Sequence, residues 1–326
     1  MLTKTKLHLI GLFTIIANSI LSSGCQHKPS PAISMADFCQ KLPRSEYKNL
    51  ERIEHDSEWF ELYKVAPGVT AIYEPYQWQE AISYLIEGED KALLFDSGNG
   101  IGNMANLVKS LTKKPISVLN SHSHYDHVGG NYAFENIHGL NTKFTIERQT
   151  GHKNADISIE ASQQALCKPL PKGVTEENHI GRPYKITQFI YDGHIFDLGN
   201  RQLQVTHTPG HTPDALILID ENQGLMFTGD SYYSGPIWLY APETNLAQYQ
   251  NSLKIMIDKS KNIKQLLPAH NTPLADPKLL IKALAGIQMV IDGGVQAKPQ
   301  GEGMVEYIVD EKLPFSFLMR DEKLPY

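Results

Sequence analysis

From residue 60 onward the chain alternates short apolar runs with turns rich in glycine, proline and acidic residues. Phe60–Tyr63 and Val69–Tyr73 read as strands flanking the Pro67-Gly68 turn, and Ile82–Ile86 with Ala92–Phe95 as a hairpin around the polar Glu87–Lys91. Met104–Leu111 reads as a helix, and Ile116–Leu119 as a short buried strand aimed at a histidine cluster. The pattern then predicts a strand at Thr142–Ile146 and a helix at Ile157–Leu166. Residues 168–187, with Pro169, Pro171 and Pro183, have no clear period and read as a loop over one end of the site. Strands follow at Gln202–Thr206, Ala215–Ile219, Gly224–Phe227 and Ile263–Leu267, with helices at Leu246–Ile257 and Pro277–Ile291. Interleaved strands and helices indicate a layered α/β protein, and the early and late hairpins argue against a purely parallel sheet. There is no internal repeat.

The N-terminus has a different character. Lys4 and Lys6 precede a mostly apolar stretch, Leu9–Leu21, that ends in Ser22-Ser23-Gly24-Cys25. This run is short for a transmembrane helix and reads as an export signal over residues 1–24. The small residues before Cys25 resemble a bacterial lipoprotein processing site, although Ser22 stands where leucine is usual and Leu21 lies one place further back. The expectation is a bacterial cell-envelope protein with a lipid anchor at Cys25 on the periplasmic side of a membrane, or else a periplasmic or secreted one. Residues 25–56, with Pro29, Pro31 and Pro43, read as a polar tether with one short helix at Met35–Leu42. An oxidising compartment permits Cys39 and Cys167 to pair, and their wide spacing carries no metal or thioredoxin signature.

Composition narrows the partners. At 326 residues and 41% apolar the chain can bury a substantial core. Its formal charge of −6, which becomes −8 when the two lysines of residues 1–24 are removed, argues against nucleic acid and says little about a small-molecule substrate, the partner expected here on other grounds.

The chemistry concentrates in His122-x-His124-x-Asp126-His127. Residues i and i+2 after a strand project together, and the next two come from the following turn. Gly129-Gly130 is expected to let the backbone bend sharply into a helix. Three imidazoles and a carboxylate this close suit two adjacent ions better than one tetrahedral ion. His211, Asp230 and His270 each lie just beyond a predicted strand end, where open α/β proteins place active-site loops. Either histidine could instead cap a neighbouring carbonyl. His152 and His179 read as solvated residues, outside any ligand set.

These residues carry a resemblance to the metallo-β-lactamase superfamily. Its H-x-H-x-D-H pattern is matched in full by residues 122–127, its T-P-G-H-T segment by residues 208–212, its G-D by Gly229-Asp230 and its last histidine by His270. Asp96-Ser97-Gly98 is similar to the family's D-T-G turn behind the metals. The resemblance implies a four-layered αβ/βα sandwich of two mixed β-sheets, with a metallo-hydrolase domain over residues 57–275 and a C-terminal helix and extension, 276–326, packed on it. It implies one ion on His122, His124 and His211, a second on Asp126, His127 and His270, Asp230 bridging both, and Asp96 behind the ligands. Zinc suits this mixed nitrogen and oxygen set, and iron or manganese also fit.

Such a pair generates hydroxide at neutral pH, with Asp126 as ligand and hydrogen-bond partner to the attacking water. Class B β-lactamases of the best-known kind carry a cysteine where this chain has Asp230, so the site looks more like those of glyoxalase II thioesterases and lactonases. Tyr233 resembles a lactonase tyrosine that contacts the substrate, although it could simply pack. Trp78 and Trp238 are candidates for the pocket wall. Hydrolysis of an ester or lactone is the leading expectation and β-lactam hydrolysis the alternative. Thioester or phosphodiester cleavage, flavin-linked oxidoreduction and an inert binding role follow behind.

Overall fold

The computed structural model describes residues 38–321. The export signal and Cys25 therefore lie outside the described residues, as does the start of the expected helix at Met35–Leu42, of which Phe38 and Cys39 are helical.

Besides the helical residues Phe38 and Cys39 and six 3-10 turns, the described chain forms three sheets and six α-helices. The first sheet runs in sequence order through β1 (Glu51–Ile53), β2 (Glu61–Ala66), β3 (Val69–Tyr73), β4 (Ile82–Glu87), β5 (Ala92–Phe95), β6 (Ile116–Leu119), β7 (Ile137–Leu140) and β8 (Gln188–Ile190). It is antiparallel from β1 to β5 and parallel from β5 to β8. The second sheet uses β9 (Ile195–Asp197), β10 (Gln202–His207), β11 (Leu216–Asp220), β12 (Leu225–Gly229) and β14 (Gln265–Pro268), with only β12 and β14 parallel. The third holds β13 (Gly235–Leu239), β15 (Ala297–Gly301), β16 (Met304–Tyr307) and β17 (Phe315–Arg320). The helices are α1 (Met104–Leu111), α2 (Tyr125–Val128), α3 (Lys143–Arg148), α4 (Asn154–Ile157), α5 (Leu246–Lys259) and α6 (Leu279–Ile291).

Side-chain alternation stacks these elements into four layers. In β4, Ile82, Tyr84 and Ile86 face the second sheet, where they meet Val205, Leu218 and Phe227, while Leu85 turns to the opposite face with Leu107 and Val108 of α1. The outer face of the second sheet, through Ile217, Ile219 and Met226, packs on Leu253 and Met256 of α5 and on Leu280 and Ile287 of α6. The result is an αβ/βα sandwich of two mixed sheets. The expected C-terminal extension contributes Phe315 and Phe317 of β17 to that outer core, and β17 pairs in parallel with β13. Among the described residues no helix is long and apolar enough to cross a membrane.

Several sequence expectations change. The expected strand at Thr142–Ile146 is helix α3, and the strand lies earlier, at β7. The β-branched run is overridden because the Thr142 side chain accepts from Thr145 N at 3.0 Å and caps the helix. Thr142→Ala should therefore lower stability by about 1 kcal/mol in a urea melt. The expected helix at Ile157–Leu166 is broken into α4 and two 3-10 turns, Ser158–Ala161 and Gln163–Ala165. Its backbone is used elsewhere: Ala165 O accepts from Trp78 N at 3.0 Å, and Cys167 N donates to Tyr76 O at 2.9 Å. Part of the expected tether is also docked. Tyr47 is buried and stacks on Tyr73 at 4.4 Å, β1 pairs with β2, and Cys39 forms a disulfide with Cys167.

Candidate metal centre

The loops that follow β6, β10, β12 and β14 converge on one buried cluster. His122 and His124 leave the end of β6, and Asp126 and His127 sit in the short helix α2 that follows. Gly129 and Gly130 take ordinary helical φ values of −59° and −89°, so no sharp bend is needed there. Their role is close approach: a Cβ on Gly129 would lie 2.4 Å from Asn99 C, and one on Gly130 would lie 2.5 Å from Ser97 O. His211 follows Gly210, whose φ of 141° and close contact with Tyr249 exclude a side chain. His270 precedes Asn271, which adopts φ 64° and is held by Arg44 Nη2 at 2.8 Å and by its own N–H on Glu80 O at 3.2 Å.

Two groups of ligand atoms result. His122 Nε2, His124 Nδ1 and His211 Nε2 lie 2.9, 3.1 and 3.2 Å from one another. His127 Nε2 lies 3.3 Å from His270 Nε2 and 3.3 Å from Asp126 Oδ2. Ligands bound tetrahedrally at about 2.0–2.1 Å from an ion lie about 3.3 Å apart, so both spacings suit such an ion. Asp230 reaches both groups: Oδ2 is 3.4 Å from His211 Nε2, while Oδ1 is 3.1 Å from His270 Nε2 and 3.4 Å from His127 Nε2.

Hydrogen bonds on the outside of the cluster set which nitrogen faces inward. His211 Nδ1 donates to Trp238 O at 2.8 Å and His270 Nδ1 to Gln79 O at 2.7 Å, which leaves each Nε2 with a lone pair. His127 Nδ1 faces Asp96 Oδ2 at 3.0 Å, and His124 Nε2 faces Glu243 Oε1 at 3.0 Å. Asp96 also accepts from Ser121 N at 2.6 Å and Ser121 Oγ at 2.9 Å, which holds it at φ 64°. Asp230 Oδ1 is buried without a hydrogen-bond partner and lies 3.1 Å from His270 Nε2. A nitrogen lone pair and a carboxylate oxygen this close repel unless a proton or a metal cation is shared between them. The residues therefore fit two divalent ions, in two His/Asp groups.

The charges tell the same story. Burial, with His127 and His124 nearby, holds His122 well below its usual pKa, and burial lowers His211 to about 4. Burial also works against charge on His127 and His270, but Asp126 and Asp230 outweigh it and raise both. Burial opposes ionisation of Asp126, yet His127 and His270 hold it at about 2. Positive charge is favoured where the carboxylates sit, and neutral imidazole on the other side.

Trp78 and Trp238 come together at 4.9 Å, with Tyr240 5.0 Å beyond Trp238. Both tryptophans are tied to the cluster, Trp238 through its carbonyl on His211 and Trp78 through its neighbour Gln79 on His270. Tyr233 packs its ring 5.0 Å from His270, but its hydroxyl donates to Pro236 O at 2.9 Å and accepts from Trp238 N at 2.8 Å. His152 and His179 join neither group, and His179 is buried instead of solvated.

Sequence reasoning missed three groups. Glu243 lies between β13 and α5 with no motif to mark it. Arg148, at the end of α3, reaches the same Glu243 oxygen at 3.4 Å and is paired there. Glu160 accepts from Trp78 Nε1 at 2.7 Å and Gln77 Nε2 at 2.8 Å, and burial pushes its carboxyl up to about 7. The broken helix that carries Glu160 had no sequence signal as a turn.

Comparison with known proteins agrees with this geometry. A family model described as the metallo-beta-lactamase superfamily matches residues 80–270. Acyl-coenzyme A thioesterase MBLAC2 of Gallus gallus is 24% identical over 229 residues, covering 65% of this chain and 81% of that protein. Atrochrysone carboxyl ACP thioesterase of Aspergillus chevalieri is 26% identical over 205 residues, covering 62% of this chain and 54% of that protein. Among solved structures, an inverting sec-alkylsulfatase from Pseudomonas sp. superposes with a TM-score of 0.54 at 15% identity, over 70% of this chain and 40% of that one. DIM-1 metallo-beta-lactamase gives a TM-score of 0.51 at 13% identity, over 72% of this chain and all (100%) of that one. At these identities the structural likeness speaks for the fold alone. With a family model spanning more than half its length and the two His/Asp groups in place, this chain belongs to the metallo-beta-lactamase superfamily and is a metal-dependent hydrolase.

Proposed function

We propose that this hydrolase cleaves a small carboxylic acid derivative, an ester or lactone ahead of a β-lactam. The observation that carries the reading is Asp230, whose two carboxylate oxygens divide between the two histidine groups. His122, His124 and His211 would hold one ion and Asp126, His127 and His270 the other. Two divalent ions held there would lower the pKa of a bound water to about 7 and stabilise charge at the reacting carbonyl. The aspartate at position 230, in place of the cysteine of the best-known class B enzymes, favours the lactonase-like and glyoxalase-like branches.

The chain's own residues supply orientation and shielding. Asp96 holds Ser121 and His127 in register, and the carbonyls of Gln79 and Trp238 keep the ligand lone pairs pointed inward. Trp78 and Trp238 give the mouth an apolar wall that excludes bulk water from one side. Tyr233 supports strand β13 through its two backbone hydrogen bonds. Tyr233→Phe should accordingly reduce kcat/KM by less than about tenfold, whereas loss of a leaving-group proton donor would cost about 10²–10⁴-fold. Steady-state kinetics on a slow-leaving alkyl ester decides between the two.

A thioester substrate is the second reading, favoured by the thioesterase names of the chicken and Aspergillus relatives. Profiling the zinc-loaded protein against lactone, aryl ester, thioester, β-lactam and phosphodiester panels separates the readings. Turnover of phosphodiesters with no turnover of any carboxyl derivative would overturn the proposal. Export and lipidation at Cys25 belong to the same proposal, supported by the Cys39–Cys167 disulfide, which suits an oxidising compartment. Mass spectrometry of the mature N-terminus tests that part.

A further inference from the structure

We infer that Glu243 is a positioning residue for His124 and sets the affinity of the His122/His124/His211 group for its ion. The inference rests on the dinuclear reading above. His124 differs from the other histidines of the cluster because it turns Nδ1 inward, 2.9 Å from His122 Nε2 and 3.1 Å from His211 Nε2. That orientation requires the proton to reside on Nε2, and Glu243 Oε1 at 3.0 Å is the acceptor that holds it there. Without this carboxylate the ring could place its proton on Nδ1, where it would point at the two neighbouring nitrogens and block an ion.

Each half of the centre thus has one histidine backed by a carboxylate. Asp96 does this for His127 from a fully enclosed position, 2% exposed, where Ser121 supplies its other donors. Glu243 does it for His124 from a side chain 15% exposed, and it shares the same oxygen with Arg148 Nη2 at 3.4 Å. An arginine on the accepting oxygen draws charge away from His124 and makes the imidazole a weaker donor to a cation. The physical consequence is an asymmetric centre, in which the half backed by Asp96 is the tighter and the half backed by Glu243 is adjustable through the Arg148 pair.

The test is stepwise competition of the metal-free protein with a chromophoric chelator for zinc, repeated with cobalt to read the visible spectrum of each filled half. Glu243→Ala should weaken one of the two ions by about 10–100-fold and leave the other at its wild-type affinity. Glu243→Gln, which retains an acceptor without the charge, should fall between the two. Arg148→Met should leave that same ion as tight as in the wild type or tighter. Glu243→Ala with two wild-type affinities, or with both ions weakened equally, would overturn the inference. So would an Arg148→Met protein that loses the ion as Glu243→Ala does, because the pair would then be a structural clasp. Wild-type protein that takes up fewer than two ions would instead overturn the dinuclear reading beneath it. Far-ultraviolet circular dichroism and melting of the metal-free variants separate loss of fold from loss of metal.

Discussion

Asp230→Ala should bind at most one zinc ion per chain and lose at least about 10³-fold in kcat/KM, because on the proposed dinuclear reading this carboxylate would serve both ions that make hydroxide available at neutral pH. The reasoning lies in the split of its oxygens, one toward His211 and one toward His127 and His270. A variant in a peripheral position would lose activity and retain both ions. The metal-free protein gives a second readout: metal-free Asp230→Ala should keep its fold, since the packed cores do not include this side chain. The stabilisation that zinc confers on the wild type should be largely lost, since an ion stabilises only in proportion to its binding to the native state. Metal content by mass spectrometry with paired melts, with and without zinc, checks both statements. An Asp230→Ala protein that still holds two ions would sink the bridging assignment.

The Cys39→Ser, Cys167→Ser double variant should unfold about 5–10 °C below the wild type in a thermal melt under oxidising conditions. The bridge closes a sequence separation of 128 residues, so chain entropy alone gives an upper estimate of about 5 kcal/mol. Its effect should also reach the pocket. Cys167 N donates to Tyr76 O and Trp78 N to Ala165 O, so the bridged segment lies along the backbone that carries Trp78 and Gln79. Losing the staple should raise KM for apolar esters more than it lowers kcat. The wild type treated with reductant should approach the double variant in both respects. Identical melting of the oxidised and double-variant proteins would remove the staple from the account.

Much of the hydrolase core is legible because its signals are local. The alternation Ile82, Tyr84, Ile86 against Leu85 is a period that one strand reports by itself, and β2 through β6 follow closely where the apolar runs place them. The ligand set is legible for a related reason. His122, His124, Asp126 and His127 sit on a single strand end and its following turn, so the chemistry is already dense within six residues. Legibility fails where the backbone bonds to a distant partner. Thr142–Ile146 has β-forming residues, yet a side-chain cap on Thr145 N turns it into α3. Ile157–Leu166 looks helical, yet the Glu160 and Ala165 carbonyls and the neighbouring Cys167 are engaged by residues 76–78 and Cys39, more than eighty positions away. Residues 38–56 are polar enough to read as tether, but Arg44 pairs with Glu80 and Asn271 beside His270. In the third sheet, β17 pairs with β13, about eighty positions earlier in the chain, while β15 and β16 pair locally but carry Lys298, Pro299, Gln300 and Glu306 in place of an apolar run.

By itself the sequence determined that the chain is a layered α/β protein and that His122, His124, Asp126 and His127 form a dense pattern suited to metal, while His211, Asp230 and His270 joined them only through the family resemblance. The first two properties follow from residue type and spacing along single elements. Tertiary structure alone decided the rest of the centre. It placed the two oxygens of Asp230 on different histidine groups, joined Trp78 to Trp238, turned the Tyr233 hydroxyl onto the backbone, and brought Glu243 to the outer face of His124. A hydrogen bond or a shared ion depends on distances of a few ångströms between residues far apart in the chain, and spacing along one element carries no information about those distances.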